Sequence, residues 1–389
     1  MSAGAPPLVF LVAAEPSGDA IGGKLMAALK RATAGNVAFA GIGGERMAAE
    51  GLASRVPLSA LSLFGVLEVL PQAMRILRLV RETADAAIAA RPAAIVTIDS
   101  SGFNFRLAER LRAGGYRGPL IHYVAPQLWG WWRPAKARAL ARHYDDVMAL
   151  FPFEPAFFAN RGIACSFVGH PAVEEGFGDG DGWGFRARHR IPAATPLLAV
   201  LPGSRGSEVK RLLPVFGDTV DRLRRRIPDL TLVLPTVPTV ADRVEAAANT
   251  WRVPAIVVRD PAEKRDAFAA ATAALAASGT VTLELALART PFVVTYLMNA
   301  LTIWMIRRAK TVDYATIVNI VMGREIVPEL LQEKCRPDLL ARACLPLLTD
   351  EAAREAQRRD LAAAIGRLGM EGPPPSERAA AIVLKRLDA

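Results

Sequence analysis

Asp99 stands at the end of the apolar run in "AAIVTIDSSGFNF" (residues 93–105), where a strand would deliver its carboxylate to the edge of a sheet. A carboxylate so placed can take the proton from a hydroxyl nucleophile as it attacks. The plain alternative is an Asx turn or a helix cap ahead of Phe103. Two further turns carry complementary chemistry. "LPGSRGSE" (201–208) joins a flexible Gly203, the Ser204 hydroxyl and the Arg205 cation in one strand-to-helix turn, a composition suited to holding a diphosphate. "ASGTVTLELAL" (277–287) repeats the idea, with Ser278, Gly279 and Thr280 placing amides and hydroxyls at a helix start. Glu284 follows one turn later, where it could accept hydrogen bonds from ribose hydroxyls. Read singly, each turn is an ordinary cap. Together they suggest transfer of a group away from a leaving diphosphate. Neither supplies the clustered carboxylates of a metal site, and no cofactor is expected.

A fourth turn lies near the start. "LVAAEPSGDAIGGKL" (11–25) follows the apolar run Leu8 to Val12 and leads into an amphipathic stretch, so Glu15, Ser17, Gly18 and Asp19 would sit at a helix N-terminus that favours an anion. It is neither G-x-G-x-x-G nor a P-loop, which makes a dinucleotide dehydrogenase the weakest reading. His122 in "PLIHYVAPQLWGWW" also ends a strand and is a candidate for substrate contact, against the alternative of a satisfied structural histidine. In "QLWGWWRPAKARAL" (127–140), Trp129, Trp131 and Trp132 beside Arg133, Lys136 and Arg138 suit a lipid headgroup region or a sugar phosphate. Tryptophans buried at a helix start would read the same way.

Such turns need sheets to position them. Strand-like runs alternate with Ala/Leu/Arg helical patterns: Leu8 to Val12, "NVAFAGIGG", "AAIVTIDSSG", "PLIHYVAPQ" and "DDVMALF", then "PLLAVLPGS", "LTLVLPTV", "PAIVVRD", "AALAASGT" and "TPFVVTYL". That order predicts βαβ units and parallel sheets. The Gly/Asp-rich "EEGFGDGDGWG" (174–184) separates the two series as a linker. The expectation is therefore an α/β chain of two Rossmann-like domains, 1–173 and 174–345, whose parallel sheets face a central cleft. Helices over 346–389 would return to the first domain or to a partner chain.

The 389 residues, 52% hydrophobic and 22% charged, are enough for two cores. A net charge of +10 favours acidic partners. The basic residues are scattered or paired, as in "RLRRR" and "RR", without interleaved aromatics, so no nucleic acid is expected. Cys165, Cys335 and Cys344 lack disulfide-framework or metal spacing, and the first residues offer no signal peptide, so a cytoplasmic setting is expected. The stretch 61–80 holds Phe64, Val66, Leu67, Val69, Leu70, Met74 and Leu77 with Arg75 and Arg78, more apolar than one buried helix face requires. It fits an interfacial segment on an anionic membrane. A core helix or a homodimer interface is the alternative.

With these motifs in view, the chain resembles the lipid-A-disaccharide synthases, through "AAEPSGD", "GIGGERMAAEG", "LSLFGVLEVLP", "YVAPQLWGWWRP", "LFPFEPAFF", "FVGHP", "LPGSRGSEV", "ASGTVTLELAL" and "VPELLQ". The resemblance implies the two-domain GT-B glycosyltransferase architecture. It also implies transfer from UDP-2,3-diacylglucosamine to lipid X, releasing UDP, at the inner membrane in lipopolysaccharide biosynthesis. On that reading Asp99 is the base, Glu15, Ser17, Gly18 and Asp19 line the first domain's wall, and Arg205, Ser278 to Thr280 and Asn319 meet the developing charge on UDP. The chain departs from the family pattern at three places. Ala14 replaces a glycine, Val318 replaces the proline before Asn319, and "IDSSGFN" stands for the common "IDAPDFN", which leaves Asp99 the one carboxylate of that motif. The rival readings are a UDP-sugar 2-epimerase, which needs no lipid acceptor, and a non-catalytic anion-binding module.

Overall fold

The computed structural model describes residues 5–58, 69–130, 134–298 and 312–387; within these, the side chains of 69–73, 134 and 135 are not described. The chain divides into two compact units, Met1–Pro171 with Glu371–Ala389, and Ala172–Met370.

In the first unit the strands are β1 (Leu8–Ala13), β2 (Ala38–Ile42), β3 (Ala94–Ile98), β4 (Leu120–Tyr123), β5 (Asp146–Ala149) and β6 (Cys165–Phe167). The helices are α1 (Pro16–Ala32), α2 (Glu45–Ala49), α3 (Val69–Ala90), α4 (Ser101–Ala113), α5 (Pro134–His143) and α6 (Glu154–Ala159). The sheet is parallel throughout, in the order β2-β1-β3-β4-β5-β6. Its central strands are buried on both faces, which is why β1 and β3 read as unbroken apolar runs. Phe10, Val12, Ile95, Leu107, Leu111, Leu120, Leu140 and Val147 belong to one core.

The second unit repeats the plan with β7 (Leu197–Leu201), β8 (Thr231–Pro235), β9 (Ala255–Val258), β10 (Ala273–Ala277), β11 (Phe292–Tyr296) and β12 (Glu329–Leu331). Its first helices are α7 (Gly182–Arg188), α8 (Gly206–Arg224), α9 (Ala241–Ala248), α10 (Pro261–Ala270) and α11 (Val281–Leu287). The strand order is β12-β11-β10-β7-β8-β9, again all parallel.

Three features differ from the sequence reading. Strands β6 and β12 were not expected; each has three residues at a sheet edge, paired by the neighbouring strand more than by its own propensity. The Gly/Asp-rich stretch is built into the second unit rather than hanging as a tether. Asp181 accepts from Gly184 N (2.7 Å) to cap α7, and its own amide donates to Asp266 (2.8 Å) on α10. Gly182 lies so close to the backbone of Ala269 that a Cβ has no room. The chain also returns to the first unit later than 346. The helices Pro337–Thr349 and Glu351–Ile365 stay with the second unit, and the helix Pro375–Leu387 packs on α1, with Arg31 paired to Glu377 (3.4 Å) and Arg386 to Asp146 (2.5 Å).

Candidate functional site

In an open parallel sheet, ligands bind beyond the carboxyl ends of the strands where the winding direction reverses. In the first unit that point lies between β1 and β3, since β2 sits on one side of β1 and β3 to β6 on the other. The turns after these two strands are the ones holding Glu15 to Asp19 and Asp99 to Ser101. They are tied by a reciprocal pair of bonds: the Ser17 hydroxyl donates to Asp99 Oδ2 (3.1 Å) and the Ser100 hydroxyl donates to Glu15 Oε1 (2.7 Å). Lys136 Nζ donates to Ser101 Oγ (2.8 Å), bringing an ammonium group to the same turn. Asp99 is half-buried, so its carboxylate is both anchored and within reach of a ligand.

Two residues expected at this wall, and His122, expected to contact substrate, have other duties. Asp19 is buried and accepts from Gly44 N (2.7 Å), Arg46 N (3.0 Å) and Met47 N (3.0 Å). It caps α2 and fixes the "GIGGER" loop rather than lining the wall. Gly18 is buried too, and a Cβ there would come 3.3 Å from Ile98 O; it lets α1 close onto the end of β3. His122 is 0% exposed, with Nδ1 2.9 Å from Thr97 Oγ1, so it does not contact a substrate from the surface. Burial first, then the charge of Lys136, pushes its imidazole down to about 3 and keeps it neutral.

The "QLWGWW", "LFPFEP" and "VGHP" motifs converge. Trp129 stands edge-on to Phe151 and Phe153, and Phe151 stacks on Phe153 and His170. At their centre Glu154 accepts from Trp129 Nε1 (2.8 Å), Leu150 N (2.9 Å) and Phe151 N (2.9 Å). Trp131, Trp132 and Arg133 lie outside the described residues. Burial raises the Glu154 carboxyl to about 7 against those three donors. The folded protein therefore holds a proton there that the unfolded chain has lost above its ordinary value of 4.5. Stability from this group is fully present below that value and is lost as pH rises towards 7. By chemical denaturation, wild type should lose about 3 kcal/mol between pH 4.5 and 8 relative to Glu154→Gln. Parallel pH profiles for the two proteins would contradict this assignment.

In the second unit the reversal falls between β7 and β10, and the two turns found in the sequence follow those strands. Gly203 has φ +107°, and a Cβ on it would meet Glu208 Oε2 at 2.7 Å, so this position needs glycine. Arg205 precedes α8; its Nη1 donates to Glu208 Oε1 (2.8 Å), which also accepts the Tyr296 hydroxyl (2.7 Å). Burial alone would raise the Glu208 carboxyl, but the Tyr296 and Arg205 donors outweigh it and hold the group ionised. The Arg205 side chain remains 77% exposed, a tethered cation facing solvent. Beyond β10, Ser278 N donates to Thr295 O (2.9 Å), Thr282 Oγ1 to Gly279 O (2.8 Å), and a Cβ on Gly279 would meet open space. Glu284 is ion-paired with Lys264 of α10 (2.5 Å), whose ammonium lies 5.5 Å from the Phe268 ring.

Asn319 corrects an expectation. It is wholly buried, donating to Val327 O (2.9 Å) and Glu329 Oε1 (2.8 Å) and accepting from Ile326 N (2.8 Å) and Val327 N (3.0 Å). Both donors and both lone pairs are engaged, so it shapes the approach to β12 and offers no donor to UDP. Glu154, Tyr296 and Asn104 were missed as site-builders. A lone polar residue inside an aromatic or apolar run was the available signal for Glu154 and Asn104; Tyr296 carried none.

The chain matches the family model described as lipid-A-disaccharide synthetase over residues 9–372. It is 51% identical over 379 residues to the lipid-A-disaccharide synthase of Rhodospirillum centenum, covering 97% of this chain and 94% of that one. The enzyme of that name from Paramagnetospirillum magneticum is 49% identical, covering 97% of each. Among solved structures, a UDP-GlcNAc 2-epimerase from Neisseria meningitidis bound to UDP-GlcNAc superposes with TM-score 0.62 at 11% identity over 98% of both chains. MurG of Acinetobacter baumannii gives TM-score 0.59 at 14% identity over 98% of this chain and 100% of that one. At such identities these likenesses establish the α/β GT-B fold class alone.

Proposed function

The chain belongs to the lipid-A-disaccharide synthase family, glycosyltransferases of lipid A biosynthesis, and from that premise we propose that it joins UDP-2,3-diacylglucosamine to lipid X, forming the β-1,6-linked disaccharide 1-phosphate and UDP. The first unit takes the acceptor and the second takes the UDP-sugar. Asp99 accepts the proton of the acceptor's 6-hydroxyl as that oxygen bonds to the donor's anomeric carbon. The bond from that carbon to UDP breaks with its electron pair leaving on the diphosphate, and the configuration inverts in one displacement. Arg205, with the Ser204 hydroxyl and the Ser278, Gly279 and Thr280 turn, meets the charge that develops on UDP. Glu284, oriented by Lys264, accepts from the ribose hydroxyls. The observation that carries this reading is the reciprocal Ser17–Asp99 and Ser100–Glu15 bonding at the reversal of the first sheet, which supports an oriented, accessible carboxylate. Analysis of the product by NMR tests it. One UDP released per β-1,6-linked disaccharide is expected, whereas an α-linked product, or an epimerised UDP-sugar with the acceptor untouched, would overturn it.

Both substrates carry acyl chains, and α3 offers a surface for the membrane that holds them. Leu79, Val80, Ala84 and Ala87 of α3 face the core, so the last two residues of the 61–80 stretch are not interfacial. Met74 (71% exposed) and Leu77 (51% exposed) face outward one turn apart, with Arg75 and Arg78 exposed beside them. Phe64, Val66 and Leu67 lie outside the described residues, as do the side chains of Val69 and Leu70. No helix among the described residues is long and apolar enough to cross a membrane. The proposed arrangement is peripheral association with the anionic cytoplasmic face of the inner membrane. Replacing both Met74 and Leu77 by Glu should weaken sedimentation with anionic vesicles about tenfold or more, since each buried methylene is worth ~0.8 kcal/mol. Unchanged vesicle binding by the double variant would remove α3 from the interface.

A further inference from the structure

We infer that Asn104 and Tyr144 are positioning residues for Asp99, holding the strained turn that presents its carboxylate; this rests on the reading of Asp99 as the base. Asp99 (φ +54°) and Ser100 (φ +41°) are consecutive non-glycine residues in the left-handed region. Side chains of L residues rarely adopt it, and such pairs persist only where the surroundings over-determine them. Here the surroundings are specific. Asp99 N donates to Tyr123 O (2.9 Å), and the Asn104 amide donates through Nδ2 to both Ile98 O (3.1 Å) and Asp99 O (2.8 Å). Because both neighbours are carbonyls, only the nitrogen of that amide fits against them. One buried side chain thus ties the last strand residue and the turn together.

Asn104 is itself held from behind. Its backbone carbonyl accepts the Tyr144 hydroxyl (2.9 Å), which spends that group's single proton. At the 3.1 Å contact between Thr97 Oγ1 and Tyr144, threonine must therefore be the donor. That in turn makes His122 Nδ1 the donor to Thr97 Oγ1 (2.9 Å), which fixes the neutral tautomer. The hydrogen bonds run in one direction from His122 through Thr97 and Tyr144 to the Asn104 carbonyl, and from the Asn104 amide to Asp99. Phe105 packs against both rings, 5.3 Å from His122 and 5.9 Å from Tyr144. His122 Nε2 and Asn104 Oδ1 are buried with no hydrogen-bond partner among the described residues. A polar network that leaves two acceptors unmet is a poor way to fill a core. It makes physical sense where its product is the geometry of the turn.

The test compares Asn104→Ala, Tyr144→Phe and Asp99→Asn with wild type for kcat, for KM of both substrates, for UDP affinity and for thermal unfolding. Misplacing a reacting group by ~1 Å costs about 10²-fold, so Asn104→Ala should lose about that much in kcat. Tyr144→Phe, which removes one oxygen and should fold, is expected to lose roughly tenfold by the same argument. KM and UDP affinity should stay near wild type in both, because the network touches neither substrate. Wild-type kcat in folded Tyr144→Phe would overturn the inference, as would activity falling only in step with the folded fraction. Should Asp99→Asn be as active as wild type, the base reading itself fails, and the two failures are told apart.

Discussion

Asp99→Asn is expected to lower disaccharide formation about 10³-fold, within the range for loss of a positioned general base, while UDP binding stays at the wild-type level. The substitution is close to isosteric. The Asn carbonyl can still accept from Ser17, and the backbone bonds to Tyr123 and Asn104 involve no side-chain atom of residue 99. What is lost is basicity, and with it a destination for the proton of the 6-hydroxyl. The motif has no second carboxylate in this chain, where Asp99 is followed by Ser100, Ser101 and Gly102. Glu15 is another carboxylate at this site, accepting from the Ser100 hydroxyl as Asp99 accepts from Ser17. A variant within tenfold of wild type at saturating substrates would mean that another group takes the proton.

Arg205→Ala should cost about 10² to 10³ in kcat, the usual loss when one donor to developing charge is removed, with little change in folding stability. The two halves of that expectation come from one observation. The guanidinium is 77% exposed, and its i,i+3 partner Glu208, though only 9% exposed, keeps the Tyr296 hydroxyl as a donor when Arg205 is removed. With Glu208 held by Tyr296, the cation is fixed rather than free to roam. Arg205→Lys should recover only part of the loss, because an ammonium cannot reproduce the planar two-point donation to a diphosphate. Steady-state kinetics beside thermal denaturation checks both halves. An alanine variant that unfolds early but turns over normally would assign Arg205 to the scaffold.

The alternating apolar runs were legible because central parallel strands are buried on both faces, as β1, β3, β7 and β10 are. The turns that follow them were legible for a related reason, since a strand ending in Gly, Ser, Asp or Arg announces exposed carboxyl-end chemistry. Strand order was not legible. That β3 lies beside β1, so that Ser17 meets Asp99 across a gap of 82 residues, follows from tertiary pairing no local pattern encodes. Polar residues were the harder problem. Asp19, His122 and Asn319 are chemically suited to ligands, but burial gives each a structural duty: Asp19 caps a helix, His122 anchors a hydrogen-bond chain, and Asn319 ties a loop to β12. The same burial makes Asn104 and Glu154 important where spacing alone gave no reason to choose them. The edge strands β6 and β12 are too short to show a period.

The most direct measurement is incubation of the purified protein in mild detergent with UDP-2,3-diacylglucosamine, with and without lipid X, following UDP and lipid products by mass spectrometry. The account predicts a disaccharide monophosphate and UDP in equal amounts, only when both substrates are present. UDP released without any disaccharide, or a donor left unconsumed in the presence of lipid X, would contradict it.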